Sequence, residues 1–168
     1  MTVGTGIGGG VMVEGELLGG AMHPEVGHQA VVRDLAIDDL PGDCPYHGDC
    51  WEGLASAASL TARWRCRPDE LPEKHVAWDV QAHHLAHGLA NLVYILSPQR
   101  IGLGGGVMRR TGLHARVRQK LTAIVNGYVD LPAAGAALDA FICPPGLGSR
   151  SGALGALAVG EAAYAAQH

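Results

Sequence analysis

Apolar positions recur at characteristic intervals along this chain, and the intervals predict its elements. Within residues 73–96, Val76, Val80, Leu85, Leu89, Leu92, Val93 and Leu96 return mostly three to four apart, one face of a long amphipathic helix that Pro98 must end. Leu113, Val117, Leu121 and Ile124 repeat that spacing and predict a second such helix. Residues 51–64 lack proline and are rich in Ala and Leu, so a helix is expected there until Pro68 and Pro72 break it. A further Ala- and Leu-rich helix is expected over residues 153–166.

Between these segments the pattern favours short strands. Residues 3–13 interleave glycine with Val and Ile, which suits a strand pair whose backbone comes close to something bound. Glu14-Gly15 can turn the chain, with Glu16-Leu17-Leu18 returning as the partner, and the expected result is a glycine-rich edge hairpin. Residues 27–32 read as another short strand, followed over residues 34–49 by a polar loop containing proline. Residues 100–103 form a short strand running into Gly104-Gly105-Gly106, and residues 139–143 a final strand before the turn Pro144-Pro145-Gly146-Leu147-Gly148. The whole is an alternating α/β series of 168 residues, enough for one domain with its own core, residues 1–168.

Composition narrows the class. The 25 glycines exceed an ordinary share and imply tight turns or ligand loops. A formal charge of -4 argues against non-specific attraction to nucleic acid or anionic membrane, and no basic helix-turn-helix segment is present. No segment approaches the roughly 20 apolar residues of a membrane span, so a cytoplasmic protein is expected.

Candidate chemistry concentrates in Cys44-Pro45-Tyr46-His47-Gly48-Asp49-Cys50-Trp51-Glu52. Cys44, His47 and Cys50 are three apart in turn, Pro45 and Gly48 bend the loop between them, and His28 upstream can supply a fourth donor to a tetrahedral zinc. Four protein donors would close the coordination sphere, so a structural rather than a catalytic metal is expected. The competing reading is two buried thiols and a polar histidine. Cys66 and Cys143 stand apart and read as small buried apolar residues, which leaves no disulfide framework.

If His28 joins the metal, Glu25 and Glu52 are drawn together, and fixed carboxylates are good acceptors for vicinal sugar hydroxyls. Glu52 is equally placed to be an acid at a helix start. The glycines around Thr5 and at residues 104–106 offer bare N–H groups to a phosphate, yet neither loop has the Lys and Ser/Thr of the phosphate-loop pattern, so turn formation is an equal reading. His83 and His87 lie one turn apart on the long helix, with His84 beside them and no Glu between, and the three read as surface or half-buried helix residues rather than ligands. His75, His114 and His168 add nothing, and no arrangement of Ser, Cys and His points to a nucleophile.

Taken in order, Val3-Gly4-Thr5-Gly6-Ile7-Gly8-Gly9-Gly10, His23-Pro24-Glu25-Val26-Gly27-His28, the cysteine–histidine claw, Gly104-Gly105-Gly106-Val107-Met108 and Pro144-Pro145-Gly146-Leu147-Gly148 resemble the C-terminal half of the ROK-family sugar kinases. His47 between two cysteines, in place of an all-cysteine claw, is similar to the fructokinase branch of that family. The resemblance implies the second lobe of an actin-like, ribonuclease-H-like ATPase fold with a zinc loop within residues 28–50. It implies zinc on His28, Cys44, His47 and Cys50, and a hexose on Glu25, His28 and Glu52. ATP with Mg²⁺ is then expected near Thr5, Gly6, Gly104, Gly105, Gly106 and Gly148.

The implied reaction is ATP-dependent phosphorylation of fructose to fructose 6-phosphate. The family's catalytic Asp, in an Asn-Asp pair ahead of the Gly-Thr-Gly strand, and its first phosphate loop have no match in these residues, so no catalytic residue is assigned and a poor or inactive kinase is expected. A homodimer, or pairing with a separately encoded first lobe, is expected by the same resemblance. The alternatives are a non-catalytic zinc-stabilised sugar-binding or interaction module, and a glucokinase- or mannokinase-type member.

Overall fold

The helix predicted from the Leu85 and Leu89 stripe is the spine against which the other elements pack. A computed structural model describes residues 1–165, and its elements in chain order are β1 (Thr2–Val3), β2 (Ile7–Gly8), β3 (Met12–Val13), β4 (Glu16–Leu17), α1 (Trp51–Ala55), α2 (Ala57–Trp64), α3 (Ala77–Leu96), β5 (Ile101–Gly102), α4 (Leu113–Val125), α5 (Ala136–Phe141), β6 (Ile142–Cys143) and α6 (Ser151–Ala165). Short 3-10 turns occur at Val26–His28, Val107–Arg109 and Gly148–Arg150. Residues 166–168, and with them Ala166 of the expected last helix and His168, lie outside the described residues.

α3 buries Leu85, Leu89, Leu92 and Val93 and packs along α4. The buried stripe of α4 is Leu113, Val117, Leu121 and Val125, while the predicted Ile124 sits partly buried at its margin. α3 starts four residues later than its pattern implied because residues 72–76 form a turn, in which Pro72 O accepts both the His75 N–H (3.0 Å) and the Trp78 indole N–H (2.9 Å).

α1 crosses α3 through one large side chain. Trp51 is fully buried, and its indole N–H donates to His84 O at 2.9 Å. A Cβ on Gly88 would stand 2.0 Å from the Trp51 ring, so α3 needs glycine there to receive the indole.

The strands form a narrow platform beneath these helices. β1 pairs antiparallel with β2, β5 pairs parallel with β6, and Val3 N–H donates to Gly104 O at 2.8 Å to join the two pairs side by side. The single glycine-rich hairpin expected at the N-terminus is thus two short antiparallel pairs. β1–β2 turns Val3 and Ile7 into the core, and β3–β4 carries exposed Met12, Val13 and Leu17.

Three further expectations are corrected. Residues 27–32 do not form a strand: Val26–His28 is a 3-10 turn pressed so closely on β2 that a Cβ on Gly27 would lie 2.0 Å from Ile7 O, and only the Ala30–Cys50 bridge follows. Residues 139–141 close α5, because the good helix formers Ala136 to Ala140 carry the helix up to Phe141, and the strand is Ile142–Cys143 alone. The helix over residues 51–64 is interrupted at Ser56, whose extended backbone and hydroxyl cap α2 by accepting the Ser59 N–H at 3.1 Å. No described helix is long and apolar enough to cross a membrane, and α6 has no buried residue.

Gly88→Ala is expected to destabilise the protein by about 2 kcal/mol despite the better helix propensity of Ala, because the indole must move. Urea unfolding checks this; an unchanged or higher midpoint would contradict the fit of Trp51 into α3.

Candidate metal centre and adjoining cleft

The loop before α1 is closed by its own backbone. Cys44 N–H donates to Gly48 O at 3.1 Å and Gly48 N–H returns to Cys44 O at 2.9 Å, a tight turn that Gly48 completes at φ +67°. Gly53 in α1 lies against this turn so closely that a Cβ would sit 1.9 Å from Gly48 O. The 3-10 turn at Val26–His28 brings His28 to the open side of the loop.

The ligand atoms of His28, Cys44, His47 and Cys50 all lie within 4.8 Å of one another. Cys44 Sγ is 3.8 Å from His28 Nδ1 and 3.7 Å from His47 Nδ1, and Cys50 Sγ is 3.6 Å from His28 Nδ1. Tetrahedral zinc with ordinary Zn–S and Zn–N bonds would separate such S and N atoms by about 3.6 Å, so this donor set fits the ion. Burial, with Cys44 close by, pushes the Cys50 thiol up. Burial also opposes ionisation of Cys44, yet backbone groups of His47 and Tyr46 outweigh it and hold that thiol low. A divalent cation at this position would ionise both thiols.

With Nδ1 facing the metal position, the Nε2 edge of His28 turns to Glu52, 3.9 Å from Oε1. The other oxygen, Oε2, accepts the Ile7 N–H at 2.8 Å. Gly6 has no room for a side chain, since a Cβ would stand 2.4 Å from Oε2. The structure thus brings His28 and Glu52 together, whereas the side chain of Glu25 lies at the surface, 3.5 Å from His23.

The turn between β1 and β2 that meets Glu52 on one side opens a cleft on the other. Gly4 O accepts the Ala57 N–H at 2.7 Å, a donor freed by the helix break at Ser56. Gly4, Thr5 and Gly106 then line a cleft of about 660 Å³. Gly104, Gly105 and Gly148 line a neighbouring cleft of about 510 Å³, which Gly106 also borders. Of the six positions expected at ATP, Gly6 faces Glu52 rather than either cleft. Gly105, at φ +98°, is required by packing, since a Cβ would lie 2.3 Å from Val3 O.

Sequence reasoning missed the group that holds the metal loop from beneath. Asp38 is buried; Arg63 of α2 donates to its two oxygens at 2.7 and 2.6 Å, and His84 Nε2 lies 2.8 Å from Oδ2. Arg63 also donates to Leu54 O at 3.1 Å. Burial raises the Asp38 carboxyl, but the Arg63 and His84 contacts outweigh it and hold it low. Burial dominates at His84 and lowers it to about 4. His84 is therefore a fully buried network member rather than a half-buried helix histidine. His83 and His87 are the half-buried pair, with ring centroids 4.6 Å apart. A partner 25 or 46 positions away leaves no periodic trace; an acid in the loop and an Arg on the facing helix were the only signals.

An α/β lobe with a four-donor metal knot beside a glycine-walled cleft defines the class. The ROK family model matches residues 1–162, and the chain belongs to the ROK family. It is similar to the fructokinase of Zymomonas mobilis subsp. mobilis, 42% identical over 97% of this chain and 54% of the relative. Among solved structures it resembles a ROK hexokinase from Thermus thermophilus, with TM-score 0.64 and 26% identity over 83% of this chain and 53% of that one. It also resembles a ROK glucokinase from Streptomyces griseus solved with glucose and AMPPNP, with TM-score 0.62 and 22% identity over 90% of this chain and 56% of that one. The chain spans about half the length of the curated relatives it matches.

His84 is depressed in the folded protein to about 4 from an ordinary 6.5, so the unfolded chain binds its proton first as pH falls. Stability is expected to be fully present above pH 6.5 and to decline between about 6.5 and 4, by up to roughly 3 kcal/mol from this group. Unfolding midpoints against pH check this, and in His84→Gln the slope across that window should flatten. An equal slope in the variant would contradict the assignment.

Proposed function

We propose that this chain is the sugar- and nucleotide-binding lobe of an ATP-dependent hexose kinase whose acceptor is fructose. The observation that carries the reading is the placement of one turn: Gly6-Ile7 grips Glu52 while Gly4-Thr5 walls the 660 Å³ cleft. A sugar on Glu52 and a nucleotide in the cleft would meet across three residues of backbone. Similarity to fructokinases supports fructose as the sugar.

On this reading His28, Cys44, His47 and Cys50 hold a structural zinc, which cross-links the loop and takes no part in the chemistry. Glu52 Oε1 and the Nε2 edge of His28 bind adjacent hydroxyls of the sugar, and Glu25 closes over them by leaving His23. Mg²⁺-ATP supplies the phosphoryl group. The 6-hydroxyl oxygen attacks the γ-phosphorus, the bond to the ADP oxygen breaks, and the hydroxyl proton passes to a carboxylate. None of the residues assigned here is that carboxylate; the resemblance puts it ahead of the Gly4-Thr5-Gly6 turn. The 168-residue chain alone is accordingly proposed to be slow by roughly 10²–10⁴-fold, the usual worth of a general base. A homodimer and a separately encoded first lobe remain part of the proposal.

Calorimetric titration of fructose into the purified chain, with a coupled assay for ADP alongside, tests this. Binding is expected for the wild type, with a loss of at least about tenfold in Glu52→Gln and little ADP formation. Binding that ignores Glu52→Gln would contradict the sugar site, and fructose-dependent ADP at ordinary kinase rates would contradict the missing base.

A further inference from the structure

The 660 Å³ cleft is electropositive in an acidic chain. Arg67, Arg109 and Arg110 line it against a single acid, Asp69. Asp69 is already taken by Arg67, which donates to its two oxygens at 3.0 and 2.9 Å. Arg110 is locked in place without any carboxylate. Its Nη2 donates to Leu71 O at 2.8 Å and Pro68 O at 3.2 Å, and its guanidinium lies 4.4 Å from the Trp78 ring centroid. Arg109 is exposed, and its guanidinium has no hydrogen bond or ion pair among the described residues. It stands where the first cleft meets the second, on the 3-10 turn that follows Gly106.

Two uncompensated cations in a concave wall raise the local positive potential and draw an anion. A fixed Arg110 keeps the field in place, while the free Arg109 fork can complete a bidentate contact with phosphate oxygens. Stacking on a base would use a guanidinium held over an aromatic face, as Arg110 is over Trp78; no such ring contact is made by Arg109 among the described residues.

Resting on the nucleotide reading of this cleft, we propose that Arg109 recognises the polyphosphate of the bound nucleotide, with Arg110 as the fixed charge behind it. The pair selects a nucleoside triphosphate over the nucleoside.

Competition against a fluorescent ATP analogue, with Mg²⁺-ATP and adenosine as competitors, tests this on the wild-type chain, Arg109→Gln and Arg109→Lys. Arg109 supports no packing, so these variants should melt with the wild type. Arg109→Gln is expected to weaken ATP about tenfold, leave adenosine unchanged and reduce the dependence of ATP affinity on salt. Arg109→Lys should retain most of the ATP affinity. Equal losses for adenosine and ATP would show that Arg109 meets the base, and unchanged ATP affinity in Arg109→Gln would show that it meets nothing; either overturns the proposal alone. A wild-type chain that binds neither the analogue nor ATP overturns the nucleotide reading and the proposal with it.

Discussion

Two sulfur and two nitrogen atoms converging to zinc-like spacing are the constraint on which the functional half of this fold depends. Between β4 and α1 the described chain has no regular element except the 3-10 turn at Val26–His28. A segment of that kind loses much conformational entropy on ordering and has little apolar surface with which to offset it. A metal cross-link between His28 and the turn at Cys44 and Gly48 would supply the missing stabilisation, because metal affinity adds directly to folding free energy. The Asp38–Arg63–His84 knot ties the same segment to α2 and α3 from below.

Three consecutive residues tie the donor cluster to the core and to the cleft. Cys50 belongs to the four-donor cluster, Trp51 drives into the gap left by Gly88, and Glu52 accepts the Ile7 N–H. Anchoring by the Ile7 N–H beside the donor cluster leaves the Glu52 carboxylate little freedom, as the proposed sugar site requires. The interruption at Ser56 serves the same geometry: a continuous helix would have used the Ala57 N–H internally, whereas here it fixes Gly4 at the edge of the cleft. Helix, metal loop and glycine turn are thus coupled through backbone hydrogen bonds that no side-chain pattern announces.

Legibility in the sequence followed the range of the interactions. The claw was readable because its ligands are close in sequence and chemically distinctive, and α3 and α4 because their apolar period is sustained. The split at Ser56 had only a lone serine as its signal, and that serine acts as a cap because the β1–β2 turn competes for the next N–H. Residues 27–32 end in the strand formers Val31 and Val32, but Gly27 is pressed against Ile7, a contact invisible to local pattern. Gly104 and Gly105 read equally as turn formers and as phosphate binders, and the structure adds a steric need, since a side chain on either would meet Pro145 or Val3. Glu25 was placed beside Glu52 by inference through the metal; the structure pairs Glu52 with His28 and Glu25 with His23.

Ordering of the Glu52 loop by a bound zinc is tested by metal analysis of protein purified without chelators, together with melting of Cys50→Ser. One zinc per chain is expected in the wild type, with loss of that zinc and a clearly lower melting temperature in the variant. Metal-free wild-type protein, or a variant that melts with the wild type, would contradict that ordering.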